Sequence, residues 1–297
     1  MKRYLINNSI KKDLINKDKS IRELNRELGF EVRSILYKNS SINEKHLRKL
    51  ENYFNKSFNL KRVYLDYGKN FGKFFVTEPI NSVKVNGDLA EFIGIMLGDG
   101  NIWRNRIRIA FDKRNIIYIE HVFNIFKRIF GINLKREINQ KTNQYYLYCN
   151  NLFAVEKLID FGLLRGHKIK NNLGIPEWIK VNSYYSKRCV KGLIDTDGCI
   201  YYSKRDKQIY IKFTNFNKRL LRDFKDITNK LDYRFAKANK NNWCLYRKSD
   251  VVRFIKEIRP LKSKGMWASL VSFQVWDLTT PVQIRAFPHY EHTLKKQ

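Results

Sequence analysis

The sequence predicts an α+β protein in which one helix-and-hairpin unit occurs twice behind a small all-helical domain. Two apolar helical patterns each run into an Asp-Gly pair, one ending at Asp99 and the other at Asp197. The same order of predicted helices and hairpins follows both patterns, and such a repeated order indicates duplication. The chain has 297 residues, of which 43% are hydrophobic, and this is enough for a sizeable core.

Helical spacing characterises the N-terminal segment. Ser20-Ile-Arg-Glu23 has the pattern of a capping box and opens a helix that ends at Gly29. A short basic helix through Ile35 follows, and Ser41-Ile-Asn-Glu44 has the pattern of a second capping box that opens a third helix. The order of helix, glycine turn and short basic helix is typical of a helix-turn-helix.

Residues 1–65 are therefore expected to form an all-helical, helix-turn-helix-like DNA-binding domain. Arg33 and Lys38 lie on the outer side of its second helix and are expected to contact DNA. An ordinary small helical bundle has the same spacing and is the alternative interpretation. Residues 66–88 contain several glycines and little periodicity, which predicts a linker that includes one extended piece.

Alternation of apolar and polar residues predicts the elements of the two repeats. After Asp99, strands are expected at 101–104 and 106–112, a helix at 116–130, strands at 134–138 and 144–150, and a helix at 152–161. After Asp197, strands are expected at 199–203 and 208–214, a helix at 218–231, strands at 233–238 and 243–247, and a helix at 250–258. These assignments divide the chain into repeats at 89–172 and 173–274, with a C-terminal tail at 275–297.

The charge of the chain indicates a polyanionic partner. The formal net charge is +31 at pH 7. A membrane surface is the other available polyanion, but no strongly basic amphipathic anchor is evident, so nucleic acid is favoured. No apolar run is long enough for a membrane span, the N-terminus is too polar for a signal peptide, and the four cysteines form no C-x-x-C pair. An intracellular, reducing compartment is therefore expected.

The two acids occupy an unusual place on their helices. A carboxylate at the C-terminal end of a helix meets the negative end of the helix dipole, so a nearby cation is expected to compensate it. Two apolar helices that end in this way, at Asp99 and Asp197, suggest a pair of carboxylates around a divalent metal.

Small residues favour close packing of these two helices. Gly94 and Gly98 lie one turn apart in the first helix, as do Gly192 and Thr196 in the second. Two backbones can approach closely along such faces, and this packing brings the two acids side by side.

The motif segments resemble those of the LAGLIDADG homing endonucleases. Val190-Lys-Gly-Leu-Ile-Asp-Thr-Asp-Gly198 matches most of the signature, and Phe92-Ile-Gly-Ile-Met-Leu-Gly-Asp-Gly100 follows the variant common in first repeats. The resemblance extends from Leu89 to about Leu270. It implies a monomer with the pseudo-symmetric, duplicated αββαββα homing endonuclease fold, in which two antiparallel saddle-shaped sheets lie over DNA.

The resemblance also implies an active site. Asp99 and Asp197 match the catalytic, metal-holding acids of the family. Other matching positions are the backbone carbonyls of Gly98 and Thr196 as metal ligands, Lys168 and Lys264 as catalytic basic residues near the scissile phosphates, and Asn115 and Asn217 as water-positioning residues. The implied cofactor is Mg²⁺, which Mn²⁺ or Ca²⁺ can replace in binding. For the two lysines, a solvated phosphate contact is the alternative interpretation.

One further acid is assigned a structural role. Asp195 matches a motif position near the helix interface, and the first repeat has Leu97 at that position.

Strand alternation predicts which side chains of the sheets face DNA. The apolar residues are expected to face the helices: Ile107, Ile109 and Phe111, with Ile209, Ile211 and Phe213 in the second repeat. The expected DNA contacts on the other face are Asn101, Trp103, Arg106, Arg108, Tyr146, Tyr148, Tyr201, Ser203, Gln208, Tyr210, Lys212, Arg234 and Tyr246.

The expected function is site-specific cleavage of double-stranded DNA. The resemblance implies a Mg²⁺-dependent endonuclease of intron or intein mobility that cuts a long asymmetric target across the minor groove and leaves short 3′ overhangs. Double-stranded DNA is the expected partner, and no obligate protein partner is inferred. Two alternatives remain: a non-cleaving transcription regulator, against which the retained acids argue, and an RNA maturase that assists intron splicing.

Overall fold

A computed structural model describes residues 3–37, 41–65, 74–77, 79–138 and 144–263. The side chain of Lys38, the residue Lys264 and the predicted tail at 275–297 lie outside this description. Within the described residues, no helix is long and apolar enough to cross a membrane.

The N-terminal region contains a small sheet as well as helices. Its elements are β1 (Arg3–Leu5), α1 (Asn8–Ile15), α2 (Ile21–Leu28), α3 (Arg33–Tyr37), β2 (Ser41–Asn43), α4 (Glu44–Phe54), β3 (Arg62–Leu65) and β4 (Phe74–Val76). The four strands form an antiparallel sheet in the order β2-β1-β3-β4. The expectation of an all-helical domain is therefore wrong, and β4 accounts for the extended piece of the predicted linker.

The capping patterns of this region are right in one case and wrong in the other. Ser20 and Glu23 form the predicted capping box, and Gly29 ends α2 in the left-handed conformation with φ 66°. Asn43 caps α4 in place of Ser41, whose hydroxyl and carbonyl accept hydrogen bonds from Arg3 instead, at 2.7 and 2.8 Å. These cross-strand bonds favour a strand at Ser41, where the sequence pattern indicated a helix start.

The helix-turn-helix expectation is not confirmed. The helix that follows the Gly29 turn, α3, has five residues, and the chain then enters β2. Arg33 is exposed at the start of α3.

The two repeats have the predicted order of elements. The first contains α5 (Gly87–Gly98), β5 (Gly100–Trp103), β6 (Arg106–Asp112), α6 (Ile116–Phe130), β7 (Lys135–Ile138), β8 (Gln144–Asn150) and α7 (Leu152–Asp160). The second contains α8 (Glu177–Lys180), α9 (Ser183–Asp197), β9 (Gly198–Ser203), β10 (Gln208–Thr214), α10 (Lys218–Lys230), β11 (Ala236–Asn239), β12 (Asn242–Leu245), α11 (Lys248–Ile258) and a 3-10 turn (Leu261–Ser263). Among these described elements, the short helix α8 and the 3-10 turn are new relative to the prediction.

The predicted fold class of the duplicated region is confirmed. Each repeat carries a four-stranded antiparallel sheet, in the orders β5-β6-β8-β7 and β9-β10-β12-β11. A single apolar core runs through both repeats and includes residues of α5 and α9. The burial of β6 alternates residue by residue, with Ile107 and Ile109 fully buried on the helix side.

The motif helices α5 and α9 lie against each other at the centre of this core. A side chain at Gly94 would overlap the carbonyl oxygen of Cys189, and one at Gly192 would overlap the carbonyl oxygen of Glu91. The predicted small-residue faces therefore bring the two backbones into direct contact.

An ion pair joins the N-terminal sheet to the first repeat. The guanidinium of Arg62 in β3 bonds both carboxylate oxygens of Glu156 in α7, at 2.8 and 2.6 Å. The same guanidinium lies 4.9 Å from the ring centre of Phe153. A two-point pair of this kind orients the two parts of the chain more strongly than a single contact does.

Candidate active site and nucleic-acid interface

Two carboxylates lie at the ends of the packed motif helices. Asp99 is the C-cap residue of α5, and Asp197 is the last residue of α9. Desolvation and then the charge of Asp197 raise the pKa of Asp99 to about 6, and desolvation raises the pKa of Asp197 as well. The pair thus carries unfavourable negative charge at the ends of two helices, and a cation would relieve it.

A lysine approaches each half of this carboxylate pair. The ammonium of Lys168 donates to the carbonyl oxygens of Met96, at 3.3 Å, and of Gly98. The ammonium of Lys262 donates to the carbonyl oxygens of Thr196 and Gly198, at 2.5 and 2.6 Å. Each lysine therefore bonds the carbonyl of the residue that immediately precedes a motif acid.

The second of these lysines differs from the predicted one. Lys264 lies outside the described residues, and Lys262, its neighbour in the same basic cluster, makes the contacts that parallel those of Lys168. Burial lowers the pKa of both Lys168 and Lys262, while the charges of the two acids raise it. The two amines and the two carboxylates form one electrostatically linked cluster.

Asn215, which sequence reasoning missed, binds one of the acids. Its side-chain amide donates to Oδ2 of Asp197 at 2.7 Å. The available signal was its position at the end of β10, because a strand that pairs with β9 returns its last residues to the start of β9, next to Asp197.

The two asparagines expected to position water have other places in the structure. Asn217 is buried, caps α10 through its side-chain oxygen and donates its amide to the carbonyl oxygen of Leu173 at 2.6 Å. Asn115 is exposed and makes no side-chain capping bond to α6. The water-positioning assignment of Asn217 is therefore corrected, since its amide is used in holding the chain that enters the second repeat.

A buried ionic network lies between the motif helices. Glu91 of α5 is fully buried, and its carboxylate lies 2.5 Å from the ammonium of Lys191 and 2.5 Å from the imidazole of His121. Lys191 also contacts Asp195 at 3.2 Å, and Arg188 reaches the other oxygen of Glu91 at 2.8 Å. Buried charges require partners, so the charged residues inside two apolar helix patterns were the sequence signal for this network.

The first sheet carries arginines stacked on tyrosines on the face away from the helices. The guanidinium of Arg106 lies 4.1 Å from the ring centre of Tyr148, and that of Arg108 lies 3.6 Å from the ring centre of Tyr146. Pairing places Asn101 and Trp103 of β5 opposite these arginines, on the same face. Tyr146 is only 9% exposed, so it supports Arg108 and does not present a free surface.

The second sheet has a row of tyrosines on the corresponding face. Tyr210 packs between Tyr201 and Tyr246, with ring centres 5.7 and 5.4 Å apart. Tyr201 and Tyr246 are exposed, whereas Tyr210 is only 8% exposed and supports the other two rings. Pairing places Ser203, Gln208 and Lys212 on the same face.

One predicted contact lies outside this sheet. Arg234 is exposed but precedes β11, which begins at Ala236 and not at the expected position 233. Tyr233 and Phe235 are almost completely buried in the helix-side core, and this anchoring keeps the chain at Arg234 out of the strand pairing.

The residues at the acid pair could hold a cation whose remaining ligands are not protein side chains. Among the described residues, no group of three or more His, Cys, Asp or Glu side chains converges on one point. Two carboxylates and neighbouring carbonyls supply hard oxygen ligands of the kind that Mg²⁺ and Ca²⁺ prefer, and water or phosphate oxygens would have to complete the coordination.

Paired motif helices that end in carboxylates, flanked by two antiparallel sheets with cationic and aromatic faces, define the class of this protein. Residues 171–259 match the family model described as the LAGLIDADG-like domain. The resemblance expected from the motifs is thereby supported for this segment.

Solved structures show likeness at low identity. The chain is 18% identical to I-DmoI in complex with DNA and Mn, covering 58% of this chain and 96% of that one with a TM-score of 0.41. It is 21% identical to I-WcaI bound to its DNA recognition sequence, covering 64% and 88% with a TM-score of 0.45. It is 10% identical to the N-terminal LAGLIDADG domain of DUF199/WhiA, covering 60% and 86% with a TM-score of 0.41. No curated protein matches the chain.

Proposed function

We propose that this protein is a site-specific endonuclease that cleaves both strands of a long, asymmetric DNA target in the presence of a divalent cation. The observation that carries the proposal is the pairing of Asp99 and Asp197 at the ends of two packed helices, each beside a lysine. A protein that only binds DNA does not require two neighbouring carboxylates that repel each other and destabilise the metal-free protein.

In this proposal the acid pair holds the cation. Asp99 and Asp197 supply carboxylate oxygens, and the carbonyls of Gly98 and Thr196 are the adjacent candidate ligands. When bound, Mg²⁺ activates water for attack on a phosphate and neutralises the departing oxygen. Lys168 and Lys262 lie within reach of the same carbonyls, from which their ammonium groups can turn towards the scissile phosphates.

The two sheets bind the DNA duplex in this proposal. The stacked arginines Arg106 and Arg108 contact phosphates or base edges on one side of the cleavage position, and Lys212 with the exposed tyrosines Tyr201 and Tyr246 does so on the other. Because the two faces differ in residue type, the target is expected to lack a palindrome. The N-terminal region, fixed to α7 by Arg62, extends the basic surface along the DNA.

The family resemblance also suggests how the DNA is cut and with which cation. The cut is expected to cross the minor groove and leave short 3′ overhangs, with Mg²⁺ as the preferred cation. A monomer suffices, because one chain supplies both acids.

A cleavage selection tests the proposal. Purified protein is incubated with a randomised DNA library and Mg²⁺, new ends are sequenced, and the Asp197→Asn variant serves as the control. Paired ends with matching 3′ overhangs, absent with Asp197→Asn, are the expected result. Selective retention of DNA without new ends would instead support a transcription regulator, and metal-independent binding of structured RNA would support a maturase.

A further inference from the structure

The segment that carries Lys262 is tied to the buried network between the motif helices. The backbone N–H of Lys262 donates to Oδ1 of Asp195 at 3.1 Å. The ammonium of Lys191 lies 3.2 Å from Oδ2 of the same carboxylate, which is only 2% exposed. Asp195 therefore joins an ion pair inside the helix interface to the loop that brings Lys262 beside Asp197.

The first repeat has no counterpart of this tie. Leu97 stands two residues before Asp99, where Asp195 stands two residues before Asp197, and an aliphatic side chain accepts no hydrogen bond. The segment of Lys168 is held from the second repeat instead, where the amide of Asn217 lies 3.4 Å from the carbonyl oxygen of Lys168.

A second difference between the two repeats also gives the Asp197 half an additional supporting contact. Asn215 donates a hydrogen bond to Asp197, whereas the residue two positions before Asn115, Lys113, is exposed. The half-site of Asp197 and Lys262 thus has two side-chain supports that the half-site of Asp99 and Lys168 lacks.

We propose that Asp195 is a positioning residue that serves only the Lys262 half of the site, so that the two DNA strands are cut by half-sites with separate supports. This inference rests on the proposed endonuclease function. Loss of the Asp195 carboxylate removes the hydrogen bond to Lys262 and leaves the Asp99 half in place. Among the described residues, the hydrogen bonds of Lys168 are made with Met96, Gly98, Asn217 and Leu173, and none involves Asp195. The consequence is a strand-specific defect.

Strand-resolved cleavage tests this proposal. The selected target, labelled separately on each strand, is cut by the wild type and by Asp195→Leu, which introduces the residue type that the first repeat has. Losing a hydrogen bond to a charged group is expected to slow one strand by about tenfold, so that nicked DNA accumulates, while the other strand is cut at nearly the wild-type rate. Equal slowing of both strands would overturn the proposal, because a general loss of structure has that result.

A conservative variant separates the loss of the hydrogen bond from misfolding of Asp195→Leu. Asp195→Asn retains an oxygen that accepts the bond from the Lys262 N–H and is expected to cut both strands at similar rates. The matched control is Asp226→Asn, which removes an exposed carboxylate from α10. A strand-specific defect in Asp226→Asn would contradict the proposed role. So would a folded Asp195→Leu protein that cuts both strands at equal rates.

A second measurement requires no DNA. Amine acetylation followed by mass spectrometry reports the accessibility of individual lysines in the full chain. In Asp195→Leu, acetylation of Lys262 is expected to rise several-fold while that of Lys168 stays unchanged. Unchanged acetylation of Lys262 would overturn the positioning role. If the wild type cuts no DNA at all, the proposed function fails, and this labelling still decides whether Asp195 positions Lys262.

Discussion

The side-chain amide of Asn215 donates a hydrogen bond to Oδ2 of Asp197 at 2.7 Å. This bond favours the ionised carboxylate, and it opposes the desolvation that raises the pKa of Asp197. It also fixes the orientation of a carboxylate that would otherwise rotate freely at the end of α9. In the proposed nuclease, Asn215 would therefore hold Asp197 in the ionised form that binds a cation.

Replacing Asn215 by Ala is expected to slow DNA cleavage by about tenfold to a hundredfold, since a hydrogen bond to a charged group is worth roughly 1.5–3 kcal/mol. DNA affinity measured in Ca²⁺ is expected to change little. The matched control is Asn229→Ala, which removes an exposed amide from the far end of α10. A cleavage rate for Asn215→Ala equal to that of Asn229→Ala would show that the bond has no catalytic effect.

The contact between Gly94 and Cys189 predicts a strong effect on stability. Gly94→Ala or Gly192→Ala forces the backbones of α5 and α9 apart, and such overpacking costs about 1–3 kcal/mol or more. Urea unfolding measures this free energy. Lys187→Ala, which removes a surface ion pair with Glu257 from α9, is expected to cost no more than about 1 kcal/mol. A stable Gly94→Ala protein would mean that the two helices are not in backbone contact.

The buried pair of Glu91 and Lys191 predicts a non-additive double substitution. Lys191→Met leaves the carboxylate of Glu91 without its closest cation and is expected to cost about 3–5 kcal/mol in unfolding free energy. Glu91→Gln combined with Lys191→Met is expected to cost less than the sum of the two single changes. Additive costs in a double-mutant cycle would indicate that the two side chains do not interact.

The raised pKa of Asp99 predicts how stability depends on pH without metal. The native carboxyl keeps its proton up to a pH of about 6, whereas the unfolded one releases it near the ordinary pKa of 3.8. The native state binds more protons in this window, so the unfolding free energy contributed by Asp99 decreases as the pH rises from about 4 to 6.

Thermal unfolding in EDTA as a function of pH measures this contribution. Asp99→Asn is expected to weaken the decline and to raise the Tm above pH 7, while Mg²⁺ stabilises the wild type more than the variant. Asp226→Asn, which removes an exposed carboxylate, is expected to leave the profile unchanged. Identical profiles for the wild type and Asp99→Asn would contradict the assigned repulsion.

The sequence was sufficient to predict the duplicated fold because periodicity and motif spacing are local signals. The strands at 106–112 and 208–214 and the helix at 116–130 lie at the predicted positions. The N-terminal sheet was missed because β1 and β2 have three residues each, and their pairing joins segments far apart in the chain. Such short strands carry no alternation long enough to recognise.

Side-chain partners were predicted less well than the elements that carry them. Asp99 and Asp197 follow from their motifs, and the ammonium of Lys168 lies at the carbonyl of Gly98, next to the first of them. Asn215 and Asn217 both follow the same strand, and only tertiary pairing reveals that the amide of Asn215 reaches Asp197 while that of Asn217 bonds Leu173. The contact of Lys262 with the carbonyl of Thr196 likewise depends on a turn geometry that composition does not specify, and Lys264 lies outside the described residues.

We propose that Asp99 and Asp197 together form one metal-dependent nuclease centre. The most direct measurement is the cleavage rate of the selected DNA target in Mg²⁺ for the wild type, Asp99→Asn and Asp197→Asn, with DNA binding measured in parallel in Ca²⁺. We expect that each variant still binds the target but has lost double-strand cleavage. A variant that binds the target and cuts both strands at the wild-type rate would contradict it.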